Sequence, residues 1–325
     1  MTGKIIRLII TVVLVGFVIS RVDWGEFRSV LGEVRVGLLL LGYALNLVMV
    51  ALNTWRWRVL VRPLGAIVSL PRLASYYFVC MFFNNFMPTS IGGDVMRVLD
   101  LARHTKDRSS AMASIMVERL LGLYALFPIG IVAFAALYPG LPERGWFLVA
   151  EAGMAALFLF GTLAIRRRTI RRIEPLLRPL TPMLERFDAK RKAGRLYDCL
   201  DAYKDRKGPV LAALLLSLLS RAVWVYSCWV LAESVGIDLR PAHFFLIMPL
   251  VEVGRMLPIS LSGIGIREGV MILMLRLFGV TDTQSVFLAI LIYGIFVFNG
   301  LIGGVVYGLR GFFGGSREAP EGGSP

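Results

Sequence analysis

Acidic and basic side chains occur inside stretches of this sequence that are otherwise apolar enough to lie in a membrane. A charge at that depth is costly if it faces lipid, so these side chains should pair with one another or line an interior cavity. They are Asp94, Arg97, Glu118, Arg119, Arg221, Glu252, Arg255, Arg267 and Glu268. Their four carboxylates balance four of the five arginines and leave one positive charge over. Such a centre favours an anion, for example a phosphate group.

Two of these arginines, Arg97 and Arg267, are the strongest candidates for direct contact with the anion. A guanidinium group can hold a phosphate through two parallel hydrogen bonds, which a lysine cannot do. Glu252 and Arg255 lie three residues apart on a predicted helix, where opposite charges can reach each other. For these two residues a structural ion pair is therefore the favoured interpretation.

Other polar residues leave alternatives open. Glu118 and Arg119 are adjacent on a predicted helix and point apart, so each needs another partner, which could be a second helix or the substrate. Asn84, Asn85 and Ser90 could line the same cavity. An Asn beside a turn, however, often satisfies free backbone groups instead.

The elements that must position these residues contain an internal repeat. Residues 86–97, FMPTSIGGDVMR, return as residues 256–267, MLPISLSGIGIR, so that each copy reads P-x-S-x-[GS]-G-x-x-x-R. Proline removes a backbone donor and glycine permits tight turns, so a helix should end at the proline and a new one begin near the second glycine. The tip residues are Pro88, Gly92, Gly93, Pro258, Gly263 and Gly265. Paired broken segments of this kind indicate the binding site of a transporter.

The composition is that of a polytopic helical membrane protein, with 57% hydrophobic residues and a mean hydropathy of +0.70. Six full spans are predicted, at residues 5–20, 36–54, 110–138, 146–165, 210–233 and 285–309. Two pairs of shorter limbs, 73–87 with 93–102 and 243–257 with 264–278, predict re-entrant hairpins. The predicted fold is thus an all-α membrane domain over residues 1–310, with about six spans and two hairpins.

Basic loops set the predicted orientation. Residues 166–207 hold fourteen Lys and Arg against six Asp and Glu, and the segment WRWRVLVR at 55–62 is also basic, which places these loops and both termini in the cytoplasm. Trp55 and Trp57 would then anchor at the membrane interface. Three full spans separate the hairpins, so the repeats should be inverted.

The composition of the loop 166–208 predicts an amphipathic helix, which either packs under the bundle or lies on anionic lipid. Residues 311–325 are predicted to form a disordered tail.

Several functional classes are disfavoured. The formal charge of +14 comes from basic residues between apolar runs, which is typical of membrane proteins rather than of nucleic-acid binders. Three cysteines at unrelated spacings and two histidines offer little for a metal centre or for His-based catalysis. No G-x-x-x-x-G-K-[ST] loop is present, so ATP is not expected to drive the protein directly. We therefore expect no cofactor, no metal and no catalytic residue.

The segments NNFMPTSIGGDVMR, VERLLGLY and LPISLSGIGIREG resemble a flippase-like membrane family. That family includes the transmembrane flippase domain of lysylphosphatidylglycerol synthase, the multiple peptide resistance factor, and the resemblance extends from about residue 5 to 310. The positions that match by motif are Pro88, Gly92, Gly93, Asp94, Arg97, Glu118, Arg119, Pro258, Gly263, Gly265, Arg267 and Glu268.

The resemblance implies movement of an anionic, aminoacylated or polyprenyl-linked lipid between the leaflets of the cell membrane, through a central polar cavity. The implied partners are membrane lipids with phosphate head groups, and a homo-oligomer is left open. No soluble aminoacyl-transfer domain follows the last span, so we do not expect an enzyme. Two alternatives remain: a transporter of ions or small solutes, and an intramembrane lipid-modifying enzyme. The latter usually needs clustered Asp residues for Mg²⁺, whereas the acids here are scattered.

Overall fold

The computed structural model describes residues 13, 16, 18–86, 92–141, 144–164, 201–256 and 265–314. Its helices are α1 (Trp24–Gly32), α2 (Val36–Val61), α3 (Leu70–Phe86), α4 (Gly92–Thr105), α5 (Arg108–Tyr124), α6 (Leu126–Leu137), α7 (Arg144–Ala164), α8 (Lys207–Ser234), α9 (Pro241–Met256), α10 (Ile266–Arg276) and α11 (Asp282–Gly314). Single 3-10 turns follow α2 at Arg62–Leu64 and α6 at Tyr138–Gly140. Within the described ranges there is no strand, and the all-α prediction is confirmed.

Four helical stretches are long and apolar enough to cross a membrane: Val36–Leu64, Arg108–Gly140, Lys207–Ser234 and Asp282–Arg310. Their most apolar windows have mean hydropathies of 1.8 to 2.3, yet only 28% to 50% of each window is buried in the protein. Large apolar side chains such as Leu40, Leu215 and Val305 point outward instead. Lipid is the solvent that such faces require.

These four stretches correspond to four of the six predicted spans. Of the two remaining predicted spans, the one at 146–165 corresponds to α7, whose 21 residues extend roughly 31 Å at about 1.5 Å per residue. The other remaining span, at 5–20, falls mostly outside the described residues.

Two long helix pairs form the frame of the molecule. Helix α2 packs along α8, and α11 packs along α3. A large apolar cluster joins α8 to α9, α10 and α11 through side chains such as Val225, Ile247, Leu275 and Leu288, all of which are fully buried. Helix α11 contacts both α3 and α10, so it holds one helix of each broken segment against the frame.

In each repeat the structure describes two separate helices, one on either side of the predicted break. Five residues separate α3 from α4 and nine separate α9 from α10, and the two helices of each pair contact each other. The tip residues Pro88, Ser90, Pro258 and Gly263 lie outside the described residues. Re-entry of the two pairs from opposite faces, and with it the inverted repeat, stays a prediction.

Glycine is required at the start of each returning helix. The amide of Gly93 donates to Asn84 Oδ1 at 2.9 Å, and a Cβ atom at this position would collide with the carbonyl oxygen of Cys80. Gly265 has a φ of 84°, which L-residues with side chains rarely adopt, and its amide donates to Glu268 Oε2 at 2.7 Å. Both helix N-termini thus have an amide satisfied by a side-chain oxygen, as buried helix ends require.

One predicted span is interrupted. The sequence predicts a single helix over 110–138, but α5 ends at Tyr124 and α6 begins at Leu126. Pro128 lacks the N–H that would bond to the carbonyl of Tyr124 four residues earlier, so the helical ladder is broken there.

The segment WRWRVLVR is helical rather than a loop. Residues 55–61 form the last turns of α2, because no helix breaker precedes Pro63. Trp57 is fully buried and its Nε1 donates to Ser114 Oγ at 3.1 Å, so the prediction that it anchors at the membrane interface is wrong. Arg56, assigned to a cytoplasmic loop, is also buried inside the bundle.

Only the end of the predicted amphipathic loop 166–208 is described. There the buried Tyr203 donates its hydroxyl to the carbonyl of Leu60 at 2.8 Å, so the chain enters α8 packed against α2. Helix α11 continues to Gly314, four residues into the stretch predicted as a tail. Residues 165–200 and 315–325 lie outside the described part, and nothing further tests these two predictions.

Replacing Gly93 by Ala should destabilise the protein. The new methyl group would lie 2.7 Å from Asn84 Oδ1 and overlap the backbone of α3, and overpacking of this kind lowers the free energy of unfolding by about 1–3 kcal/mol. Thermal unfolding in detergent measures the effect. Gly153→Ala is the matched control, because that glycine is exposed on α7 and a Cβ there meets nothing within 4 Å. Equal melting temperatures for the two variants would contradict the close approach of α4 to α3.

Candidate functional site

The charged residues of the first repeat meet in one buried group, which we call the first cluster: Arg56, Asp94, Arg97, Glu118 and Arg119. Glu118 on α5 is its centre and is only 2% exposed. One of its carboxylate oxygens accepts from Arg56 of α2 at 2.7 Å, and the other accepts from Arg97 of α4. A single carboxylate therefore ties three helices together.

Arg97 is enclosed by protein groups on several sides. Besides its pairing with Glu118, its Nη1 lies 3.6 Å from Asp94. The guanidinium carbon stands 3.9 Å from the centre of the Trp57 ring and 4.7 Å from that of Tyr77, distances at which cation–π attraction acts. In this conformation Arg97 is occupied by the protein, and its contact with a ligand stays a prediction.

The partners of Glu118 and Arg119 follow the expectation that neighbours on a helix point apart. Arg119 pairs with Asp94 on α4, whereas Glu118 faces Arg56 and Arg97. The Arg119 side chain is 44% exposed, in contrast to the buried centre of the cluster. The first cluster therefore reaches the outside of the protein at Arg119.

Asp107 fixes where α5 begins and hence where Glu118 lies. Its Oδ1 accepts from the amides of Ser109 at 2.9 Å and Ser110 at 3.1 Å, which caps the helix. Hydrogen bonds from the side chain and the amide of Ser110 lower the pKa of Asp107, so the carboxylate form that caps α5 persists below the usual pH range for Asp.

The second cluster comprises Arg221, Glu252, Arg255, Arg267 and Glu268. Glu252 on α9 accepts two hydrogen bonds from Arg255, at 3.0 Å and 2.6 Å, which confirms the ion pair predicted from their spacing. Arg221 of α8 lies 3.8 Å from the same carboxylate. The Arg255 and Arg221 side chains are 36% and 25% exposed, so this cluster is more open than the centre of the first.

Arg267 and Glu268 lie in the first turn of α10 and pair with each other. Glu268 also caps the helix by accepting from the amide of Gly265. The guanidinium of Arg267 stands 4.9 Å from the ring of Tyr293. Gly254, which lies between Glu252 and Arg255 on α9, packs against Ile266 and Val270, and this contact brings the start of α10 beside the rest of the second cluster.

Gly122 on α5 links the two clusters. A Cβ atom there would lie 3.4 Å from Nη2 of Arg221 and 3.5 Å from Nη1 of Arg56, so both guanidinium groups flank this glycine. Arg221 Nε donates to the Gly122 carbonyl at 3.3 Å, and Arg56 donates to Ser217 on α8 at 3.1 Å. The two clusters on α4, α5, α2, α8 and α9 are therefore neighbours, separated by Gly122 and Ser217.

All nine charged residues singled out in the sequence lie in these two clusters, together with Arg56, which sequence reasoning missed. The missing signal was the continuity of α2: no proline or glycine follows Val50 until Pro63, so Arg56 belongs to the span and not to a loop. Its addition gives six arginines against four carboxylates in the two clusters. The predicted positive excess is therefore larger than the sequence suggested.

The asparagines hold helices together. Asn84 accepts from Gly93 and so joins α3 to α4, and Asn85 donates to the carbonyl of Phe296 on α11 at 3.2 Å. For Asn84, satisfaction of the backbone near the tip is the alternative that the structure supports. A role for either residue in lining a cavity stays a prediction.

A family model described as the lysylphosphatidylglycerol synthase TM region matches residues 4–304, a range that contains both clusters. The chain is 21% identical over 294 residues to a UPF0104 membrane protein of Methanothermobacter thermautotrophicus, covering 86% of this chain and 87% of the relative. It is 19% identical over 294 residues to a UPF0104 membrane protein of Methanocaldococcus jannaschii, covering 87% and 88% respectively. No solved structure matches the chain significantly.

Replacing Glu118 by Gln should destabilise the protein strongly. Two buried guanidinium groups would lose their shared counter-charge, and breaking a buried ion pair by removing one partner costs about 3–5 kcal/mol. Glu252→Gln is the comparison, since its main partner Arg255 is partly exposed and can be solvated, which makes the cost smaller. Thermal unfolding in detergent compares the two. A Glu118→Gln protein no less stable than Glu252→Gln would contradict the central role assigned to Glu118.

Proposed function

The chain belongs to the family of the lysylphosphatidylglycerol synthase TM region, and on that premise we propose that it moves a lipid with a phosphate-bearing head group between the two leaflets of a membrane. The observation that carries the proposal is the run of charges from Arg119 to Arg255. It is buried at its middle, around Glu118, and partly exposed at both ends. A polar head group can enter such a path while the acyl chains remain in lipid.

The net positive charge along the path favours an anion as the ligand. Six arginines face four carboxylates, and unpaired positive charge in a medium of low dielectric constant attracts a negative partner strongly. A lipid phosphate diester supplies one negative charge and two oxygens that a guanidinium can bind together. Zwitterionic and aminoacylated lipids contain the same phosphate and could use the same contacts.

Exchange of partners provides a way to move the phosphate. Arg255 holds Glu252 through two hydrogen bonds, and a phosphate offers the same two-oxygen geometry, so one partner can replace the other without leaving the guanidinium unpaired. Arg221 lies next to both Glu252 and Gly122 and is the next cation along the path. Each step from Arg255 towards Arg119 thus keeps an arginine beside the phosphate.

The two helix pairs supply the moving parts in this proposal. The N-termini of α4 and α10 carry partial positive charge, and Asp94 and Glu268 lie in the first turns of these helices. A phosphate that displaces either carboxylate would compete for that N-terminus and loosen its helix pair. Alternate opening of the α3–α4 and α9–α10 pairs to opposite faces would carry the head group across.

The proposal predicts lipid movement in reconstituted vesicles. Fluorescent anionic, zwitterionic and polyprenyl lipids should become accessible to an outside quencher faster with the protein than in empty vesicles. Arg119→Gln combined with Arg255→Gln should slow this by about tenfold or more, because each charge-assisted hydrogen bond contributes about 1.5–3 kcal/mol and 1.4 kcal/mol is about tenfold in rate. Arg267→Gln should act in the same direction.

The matched control is Arg276→Gln. Arg276 is exposed at the end of α10 and pairs with Asp282, away from both clusters, so the parent rate should persist. A parent protein that matches empty vesicles for all three lipid classes would contradict lipid translocation. Flux of a labelled soluble anion in the same vesicles would then support a solute transporter, and chemical conversion of the lipid would support an enzyme.

A further inference from the structure

Glu151 is a buried carboxyl group that belongs to neither cluster. It lies on α7, seven residues after the helix begins, which places it roughly 10 Å along a helix of roughly 31 Å. The residue is only 5% exposed, and neither carboxylate oxygen has a hydrogen-bond partner among the described residues. Each acidic residue of the two clusters faces an arginine, whereas Glu151 does not. The burial of its carboxyl group therefore needs a different explanation.

A glycine on the neighbouring helix makes room for this carboxyl group. A Cβ atom at Gly130 of α6 would lie 3.0 Å and 3.3 Å from the two Glu151 oxygens and 2.9 Å from the methyl group of Met154. Helix α6 has the sequence LFPIGIVAFAAL and carries no charged residue. The carboxyl group therefore lies in an apolar notch between α6 and α7.

None of the charged or titratable side chains on the surrounding elements bonds to Glu151. On α5, α7, α9 and α10 these are Arg108, Glu118, Arg119, Tyr124, Arg144, His243, Glu252, Arg255, Arg267, Glu268 and Arg276, with Tyr138 just after α6 and Arg240 just before α9. Burial of a carboxylate without a counter-charge is strongly unfavourable, whereas the neutral acid can be accommodated. Its surroundings therefore favour the protonated, neutral form of the acid.

The notch is connected to the second cluster through packing. Ala133 and Phe134 of α6 share an apolar cluster with Phe147 of α7 and Leu246 of α9. Helix α9 also carries Glu252 and Arg255. A separation of α6 from α7 at Glu151 would thus change the contacts of the helix that holds one end of the charged path.

We propose that Glu151 is a proton-binding site that couples movement of α9 to the proton concentration on one side of the membrane. When α6 and α7 close, the carboxylate takes up one proton from water and becomes neutral; when they part, the acid ionises and returns that proton to water. One proton is bound and one is released in each cycle. The link to lipid movement rests on the proposed function, whereas the proton site itself does not.

Infrared spectroscopy of the full chain in detergent tests the proton site directly. At neutral pH the parent should show the carbonyl band of a protonated carboxylic acid, and Glu151→Gln should lose it. Glu33→Gln is the matched control, because Glu33 is exposed at the end of α1 and its replacement should leave the band unchanged. A parent without this band, or a band that survives in Glu151→Gln, would overturn the proposal.

Vesicles with and without a pH gradient test the coupling. Lipid redistribution by the parent should change severalfold when the gradient is imposed, Glu151→Asp should retain this response, and Glu151→Gln should lose it. A response to a sodium gradient at equal pH, with none to protons, would overturn the proton assignment. If the parent moves no lipid at all, the proposed function fails, and the infrared band alone decides whether the proton site stands.

Discussion

A charge inside a membrane protein must find an opposite charge, and in this molecule Glu118 meets that need for two arginines at once. Its two oxygens hold Arg56 of α2 and Arg97 of α4 against α5. Because removal of Glu118 would leave two buried guanidinium groups without their shared counter-charge, the relative positions of these helices depend on electrostatics as well as on apolar packing. The remaining charged contacts extend outward from this centre.

The arrangement combines a rigid middle with two adaptable ends. At the middle, Arg97 is held by a carboxylate and by the rings of Trp57 and Tyr77, so it has little freedom. At the ends, Arg119 and Arg255 are partly exposed and each is paired with a carboxylate. A negatively charged ligand can therefore compete for Arg119 or Arg255 first, and only its passage between the two ends requires the pairs at the middle to exchange partners.

The sequence predicts those features that follow from residue type and depth alone. Proline and glycine chemistry predicts separate helices before and after each repeat motif, as α3 with α4 and α9 with α10 are, and helical spacing predicts the Glu252–Arg255 pair. The sequence also predicts that Glu118 needs a partner other than Arg119, which points away from it, but it leaves open whether a second helix or the substrate supplies that partner. The contact with Arg56 of α2 cannot be read from the sequence, since distant contacts leave no mark on local sequence.

The sequence-based predictions that the structure does not bear out, and the residues that the sequence does not single out, also have physical explanations. A run of arginines after an apolar segment is typical of a cytoplasmic flank and so predicts a loop at Arg56, whereas the helix continues past it. Glu151 has no charged neighbour within its apolar run, so the sequence does not show what surrounds its carboxyl group. Asn84 accepts a hydrogen bond from the amide of Gly93 at the start of α4, a contact that depends on the close approach of α3 and α4 and cannot be predicted from the sequence.

The central claim is that the second cluster binds the phosphate of a lipid head group, and equilibrium binding of a short-chain phosphatidylglycerol to the purified protein tests it most directly. Saturable binding that weakens with added salt is expected for the parent and for Arg276→Gln, and it should be lost in a variant combining Arg255→Gln with Arg267→Gln. Binding that is the same in all three proteins, or that a neutral lipid of equal chain length reproduces, would contradict the account.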